Sequence, residues 1–210
     1  MTDVDVDLFV ATRRSLHGIA EQLMAGPQHR QSGTIRLGVV DGGIETVKAP
    51  AMRLDADSLQ QGNATVALDG ITIAAIAGEF GIQAGAPEGV YADTADVESD
   101  EPLVVDPARA RRLIDAYELG RDAMQEFQPD EMPVLWPEHF DLGIQWGQVN
   151  YGLSGGDSFH PTPYAYVGPW TQREGEFWNA PFGAVLAVNP ETELDALVTF
   201  LHRGEELTRD

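Results

Sequence analysis

Short runs of alternating hydrophobicity constrain the fold of this sequence more than any other feature. In residues 34–40 the apolar side chains Ile35, Leu37 and Val39 fall on one side, which is typical of a half-buried strand. The turn Asp41-Gly42-Gly43 follows at once. Further strands are predicted at 44–48, 51–55, 64–68, 133–146, 149–154, 163–168 and 183–188. Such short connections favour antiparallel hairpins over parallel crossovers.

Helical periodicity separates these strands into groups. Apolar residues recur at a spacing of three or four in four segments, and helices are predicted at 12–25, 71–80, 107–127 and 191–207. Gly26-Pro27 predicts the end of the first helix. Asp106-Pro107 predicts the start of the third, with an acid as N-cap and proline in the first turn. The predicted class is α+β, with mostly antiparallel sheet and packed helices.

The order of these elements bears on domain organisation. A chain of 210 residues is long enough for one well-packed core, and we expect one integrated domain over 1–210. Each half, 10–82 and 104–208, has the order helix, strands, helix, so structural duplication is a hypothesis. Residues 83–103 are rich in Gly, Pro and acids and are expected to link the halves.

Charge and composition exclude several classes of partner. The formal net charge is −21, from 34 acidic and 13 basic residues, which disfavours nucleic acid and anionic membranes. No apolar run approaches the roughly 18 residues of a membrane span. The N-terminal segment is acidic, unlike a secretory signal, and cysteine is absent. We therefore expect a cytoplasmic protein.

Aromatic and polar residues concentrate in one segment, 133–183, which contains all four tryptophans. If 134–146 is one strand, its side chains alternate between two faces. One face is then apolar and largely buried, with Trp136, Phe140, Leu142 and Ile144. The other face carries His139 and Asp141 together, so any chemistry is expected here.

Three residues of this strand are candidates for catalysis: Glu138, His139 and Asp141. An aspartate beside a histidine can fix its tautomer and raise its basicity. Glu138 lies among apolar positions, where burial would raise its pKa and suit a general acid or base. Alternatively, Pro137 introduces a bulge that turns Glu138 toward water.

The same pair suggests a metal site. Imidazole and carboxylate are ligands for zinc, iron or manganese, and the loop 154–161 offers two further donors. The predicted ligands of a divalent metal are His139, Asp141, Asp157 and His160. The alternatives are a structural His139–Asp141 pair and metal-free acid–base chemistry. The sequence contains no Walker loop, GxGxxG, GxSxG or HExxH motif.

The aromatic residues suggest ligand binding. Tyr164, Tyr166 and Trp170 share one parity and could stack on a flat or apolar ligand. The candidate ligand-binding residues are Trp136, Tyr151, Tyr164, Tyr166, Trp170 and Trp178. A core wall or a protein interface is the alternative use of such a row.

The segment Trp136-Pro137-Glu138-His139-Phe140-Asp141 resembles an uncharacterised family of bacterial proteins with a Trp-Pro-x-His-Phe-Asp signature. In that family the signature follows a long helix that opens with Asp-Pro, as at Asp106-Pro107 here. A Gly-rich polar loop and a Pro-Tyr-x-Tyr segment come next. Many members have a second histidine where this chain has Glu138, which weakens a metal site built on paired histidines. The resemblance implies one integrated domain and no particular reaction.

Together these patterns predict a small-molecule-binding protein or enzyme, with a polar-aromatic pocket in 136–182 and a divalent metal as one candidate cofactor. The sequence leaves open whether the protein is an enzyme. The rival hypothesis is a non-catalytic interaction or assembly protein whose aromatic rows form an interface.

Overall fold

The computed structural model describes residues 3–91 and 94–209 and contains one ten-stranded sheet flanked by helices. The helical elements are α1 (Asp3–Ile19), a π-helical segment (Ala20–Ala25), α2 (Gly26–Ser32), α3 (Ile73–Phe80), α4 (Pro107–Phe127) and α5 (Leu194–Thr208). The strands are β1 (Leu37–Val40), β2 (Gly43–Thr46), β3 (Met52–Leu54), β4 (Ser58–Gln61), β5 (Ala64–Ala67), β6 (Val134–Trp136), β7 (Asp141–Trp146), β8 (Val149–Ser154), β9 (Tyr164–Pro169) and β10 (Ala184–Ala187).

The sheet consists of two meanders joined at their first strands. Its order is β10-β9-β8-β7-β6-β1-β2-β3-β4-β5, and every pairing is antiparallel. The meanders meet where Leu37 of β1 lies opposite Leu135 of β6. The prediction of an α+β fold with an antiparallel sheet and packed helices is therefore confirmed.

One face of the sheet is apolar and packs against helices. Register places one residue from each of six strands in a continuous row across this helix-covered face, namely Leu37, Leu135, Leu142, Leu153, Ala165 and Leu186. The first five are at most 3% exposed. Because strand residues alternate between faces, the residues between them lie on the opposite, outer face.

Helix α4 covers the middle of the apolar face, against β1, β7 and β8. It spans the predicted residues, and the Asp106 carboxylate caps it by accepting from the backbone N–H of Arg109. Helix α5 covers β9 and β10. Both helices approach the sheet at a glycine, Gly120 against Leu153 and Gly204 against Val167.

The predicted end of the first helix at Gly26-Pro27 is wrong. The helix passes through a π-helical segment at 20–25, where the N–H of Gly26 bonds the Glu21 carbonyl, and continues to Ser32. A wider π turn just before Pro27 relieves the clash that a proline ring makes with the preceding turn of an α-helix. The helix ends instead at Gly33, which is left-handed with φ of 73°.

The prediction of one strand over 134–146 is also wrong. Pro137 has no backbone N–H to donate, and the chain leaves the sheet there. Residues 137–140 form the turn of a β6–β7 hairpin in which Trp136 lies opposite Asp141. Strand β4 was not predicted either, because Leu59 is its one apolar residue.

The expected linker, 83–103, packs along the first helix where it is described. The Glu21 carboxylate accepts from the N–H of Ala95, and the Gln22 amide donates to the Val97 carbonyl. Arg14 pairs with Glu101 and donates to the Asp96 carbonyl. These bonds place Thr94 and Ala95 beside α1.

Among the described residues, no helix is both long enough and apolar enough to cross a membrane.

The close helix–sheet approach predicts opposite effects for two glycine substitutions. Gly204→Ala adds a Cβ 2.7 Å from the Val167 side chain and should lower the free energy of unfolding by about 1–3 kcal/mol through overpacking. Gly78→Ala, within α3, meets nothing within 4 Å and should raise it by up to about 1 kcal/mol through helix propensity. Urea denaturation measures both, and equal effects would contradict the packing described.

Candidate functional site

The turn at 137–140 is held in a strained conformation by two other elements. Phe140 has a positive φ of 51°, which is uncommon for a residue with a large side chain. The Tyr117 hydroxyl of α4 donates to the Phe140 carbonyl. The His17 ring of α1 stacks on the Phe140 ring, with centroids 5.2 Å apart. Helices α1 and α4 thus fix this turn at one end of the outer face.

His17 is a structural histidine at the floor of this region. Its Nε2 lies 2.6 Å from the Pro137 carbonyl, which can only accept, so the ring donates from Nε2. Burial lowers the pKa of His17 to about 4, and nearby Arg13 and His139 act in the same direction. The ring is therefore neutral at pH 7.

Tyr166 of β9 reaches across β8 to Asp141 of β7. On the outer face, Gly143, Gly152 and Tyr166 occupy one register row. A Cβ on Gly152 would lie 2.4 Å from the Tyr166 ring, so only glycine lets the ring lie flat over β8. From there the Tyr166 hydroxyl donates to Asp141 Oδ2 at 2.5 Å. The half-buried carboxylate of Asp141 thus gains a charge-assisted hydrogen bond.

Burial dominates the acid–base properties of this pair. It raises the pKa of Asp141, while the Tyr166 hydrogen bond and nearby His139 lower it in part. Burial and the Asp141 charge also raise the pKa of Tyr166 well above its ordinary value. A raised carboxyl pKa is thus found at Asp141.

The loop after β8 is organised by Asp157. Its Oδ1 accepts from the backbone N–H groups of Phe159 and His160, and its Oδ2 accepts from the Tyr164 hydroxyl at 2.7 Å. His160 turns to the Thr162 carbonyl, 2.8 Å from its Nδ1. Both side chains therefore serve the loop itself.

A cleft of about 780 Å³ lies between this loop, the 137–140 turn and α1. We call it the inner cleft. Arg13 reaches into it from α1 and donates to the Pro161 carbonyl at 3.1 Å. Burial lowers the pKa of Arg13, and the Asp157 charge opposes that shift. Its wall also includes Glu138, His139, Asp141, Ser154, Tyr164, Tyr166 and Phe182.

The three candidate catalytic residues differ in their placement. Asp141 begins β7, whereas Glu138 and His139 belong to the turn, so the expectation that His139 and Asp141 share a strand face is wrong. His139 is 61% exposed, and its Nε2 lies 3.7 Å from a Glu138 carboxylate oxygen. All three nevertheless line the inner cleft.

The expected metal site is not formed. Within the described ranges, no group of three or more His, Asp or Glu side chains is placed to hold a metal ion. Asp157 is committed to its own loop and to Tyr164, and His160 does not line the inner cleft. The four predicted ligands, His139, Asp141, Asp157 and His160, thus do not act together.

The candidate ligand-binding residues fall into two groups. Tyr164 and Tyr166 line the inner cleft, and Trp136 and Trp170 lie on the outer face beyond it. Trp136, which was expected to be buried, is half-buried beneath the Arg36 guanidinium. Tyr151 is 1% exposed on the helix-covered face, with its ring against Phe127. Trp178 packs on Phe177 next to the core. These two lie away from the cleft.

Arg13 and His17 were not among the residues predicted for the site. They are one helical turn apart, but their partners are distant in sequence: His17 contacts Pro137 and Arg13 contacts Pro161, 120 and 148 residues later. The available signal was a basic cluster, Arg13, Arg14 and His17, in a chain with only 13 lysines and arginines.

Comparison with protein-family models, with curated proteins and with solved structures yielded no match to this chain.

Burial of neutral His17 predicts a pH-dependent stability. The unfolded ring takes up a proton near pH 6.5 and the folded ring only near 4, so this contribution is present above pH 6.5 and lost as pH falls toward 4. It amounts to up to about 3 kcal/mol. Denaturant unfolding of His17→Gln should lose most of the pH dependence in that interval. His139→Gln, at an exposed position, should keep it, and a His17→Gln slope equal to that of the native chain would refute the prediction.

The Tyr166 hydrogen bond predicts a specific shift of the Asp141 pKa. Tyr166→Phe removes a bond to the carboxylate and should raise the Asp141 pKa further above its ordinary value. Because a raised carboxyl pKa favours the folded state only at low pH, the variant should also lose stability as pH rises through that pKa. Carbon-13 NMR titration of the side-chain carboxyls measures the shift. Tyr164→Phe, which loses a hydrogen bond to Asp157 instead, should leave the Asp141 pKa nearly unchanged.

Proposed function

We propose that the inner cleft binds a small polar molecule and that Asp141 is its principal polar contact. The observation that carries this proposal is the Asp141–Tyr166 pair. A tyrosine laid over Gly152 delivers its hydroxyl to a half-buried carboxylate at the wall of the cleft. Burying a carboxylate is costly, and a purely structural role would be met as well by apolar residues. A raised pKa on a cleft wall is typical of functional groups.

The chemistry of the cleft defines what it could hold. Asp141 and Glu138 offer acceptors, while Arg13 and His139 offer donors, so the ligand carries both donor and acceptor groups. Phe182 and the tyrosine rings add apolar wall. This combination of a few polar groups on an aromatic surface is the usual composition of small-molecule sites. Asp141, with its raised pKa, is suited to accept a proton from a bound group.

A second groove is a weaker candidate for the binding site than the inner cleft. About 380 Å³ lies between α4 and residues 188–192, lined by Arg111, Leu119 and Val188 among others. It is smaller, and the Asp141–Tyr166 pair lies in the inner cleft instead. The inner cleft is therefore the better candidate.

The alternative is an interaction or assembly protein, and exposed aromatic side chains are the observation that favours it. Phe159 and Phe182 are 45% and 42% exposed and pack together at the rim of the cleft. The predicted row is weaker support, because Tyr164 and Tyr166 turn their hydroxyls to carboxylates instead of projecting outward. A cleft-closing partner would contact these phenylalanines.

Saturation-transfer NMR with a library of small amines, polyols and amino acids tests the proposal. Some compounds should show transfer from the native chain, and Asp141→Asn should abolish it because the carboxylate contact is lost. Asp195→Asn, an exposed acid of α5 that lines neither the cleft nor the groove, should retain it. Equal signals from Asp141→Asn and the native chain, or no signal at all, would contradict the proposed site. Self-association in sedimentation experiments that Phe182→Ser abolishes would favour the alternative.

A further inference from the structure

A second cleft continues from the inner cleft across the outer face of the sheet. It has a volume of about 510 Å³, and we call it the outer trough. It shares Glu138, His139, Asp141 and Tyr166 with the inner cleft, so the Asp141–Tyr166 pair stands at the junction of the two. The trough then runs over β6, β7 and β8.

One tryptophan lines the trough at one end, and a second lies just beyond its other end. Trp136 lies at the Asp141 end, and the Arg36 guanidinium lies 5.7 Å from its ring centre. Trp170, just after β9, adjoins the lining without being part of it: it is 60% exposed, and its indole donates to Oδ1 of the lining residue Asn150 at 3.4 Å. Three strand spacings and a rise of six residues put these tryptophans roughly 25 Å apart along the sheet surface. That is the length of several linked rings, not of one small molecule.

Amides and carboxylates lie between the two tryptophans. Gln145 and Asn150 are register partners on β7 and β8, and both are exposed on the outer face. Each amide offers both a donor and an acceptor. The flat Tyr166 ring over Gly152 borders them. The trough thus presents aromatic surface in alternation with neutral hydrogen-bonding groups.

The charge of the trough restricts its occupant. Among the residues that the structure describes, its lining carries Glu131, Glu138 and Asp141 against one arginine, Arg36, in a chain of net charge −21. An anionic polymer is repelled. A sugar ring is neutral, has C–H groups that pack on an indole face, and has hydroxyls that donate to carboxylates and pair with amides.

We propose that the outer trough binds a neutral oligosaccharide, with one ring stacked on Trp170 and the chain leading to the Asp141–Tyr166 junction. The inference rests on the proposed function, since the same junction receives the end of the chain. It names the ligand class as a linear, uncharged carbohydrate.

Calorimetric titration with maltotetraose and cellotetraose, as α-linked and β-linked neutral probes, tests the inference. One of them should bind the native chain, and Trp170→Ala should weaken that binding about tenfold. Trp146→Ala is the matched control, because Trp146 is 42% exposed on the helix-covered face and donates to Glu205 of α5. The affinity of Trp146→Ala should stay within about twofold of the native value, because the Trp146 ring lies on the opposite face of the sheet from the trough.

Several outcomes would overturn the inference. These are binding of neither tetrasaccharide, equal affinity of Trp170→Ala and the native chain, or preferential binding of spermidine, a cation that would point to the carboxylates alone. If Asp141-dependent signals from small compounds persist while neither tetrasaccharide binds, only this inference fails. If both are lost, the proposed function fails with it.

Discussion

The constraint on which the structure depends is the apolar row that crosses the sheet on its helix-covered face. It includes the Leu37–Leu135 pair that joins the two meanders, and it fixes which side of every strand in the second meander is buried. A shift of one residue would move the whole row to solvent, so the register is strongly specified. Helices α4 and α5 fill that face, and Asp141, Asn150 and Tyr166 lie on the outer face.

Two sequence details convert that outer face into a site. Pro137 interrupts what would otherwise be one long strand, and the resulting turn brings Glu138 and His139 to the mouth of the inner cleft. Because Gly152 has no side chain to block the Tyr166 ring, the Tyr166 hydroxyl of β9 reaches the Asp141 carboxylate of β7. Arg13 and His17 complete the cleft from α1, and the strained Phe140 is held by His17 and Tyr117. The site is therefore assembled from the first helix and the second meander.

Short sequence patterns made part of the fold predictable. The sequence predicted α4 and β8 with their observed bounds, because an Asp-Pro cap and strict alternation between turns are short-range patterns. It did not predict that the helix continues past Pro27, because the preceding π turn has no sequence signature. The Asp141–Tyr166 bond was also out of reach, since it depends on the register of three strands. His139 was misplaced because strand alternation was continued through Pro137, whereas the chain reverses in a turn at that point.

The location of a bound compound is the most direct test of this account. Crystals soaked with the compound that gives the strongest saturation transfer should show its density at the junction of the inner cleft and the outer trough. A donor of the compound should then lie within hydrogen-bonding distance of an Asp141 carboxylate oxygen, with the Tyr166 ring still over Gly152. Density confined to the groove between α4 and residues 188–192, with the junction unchanged, would contradict it.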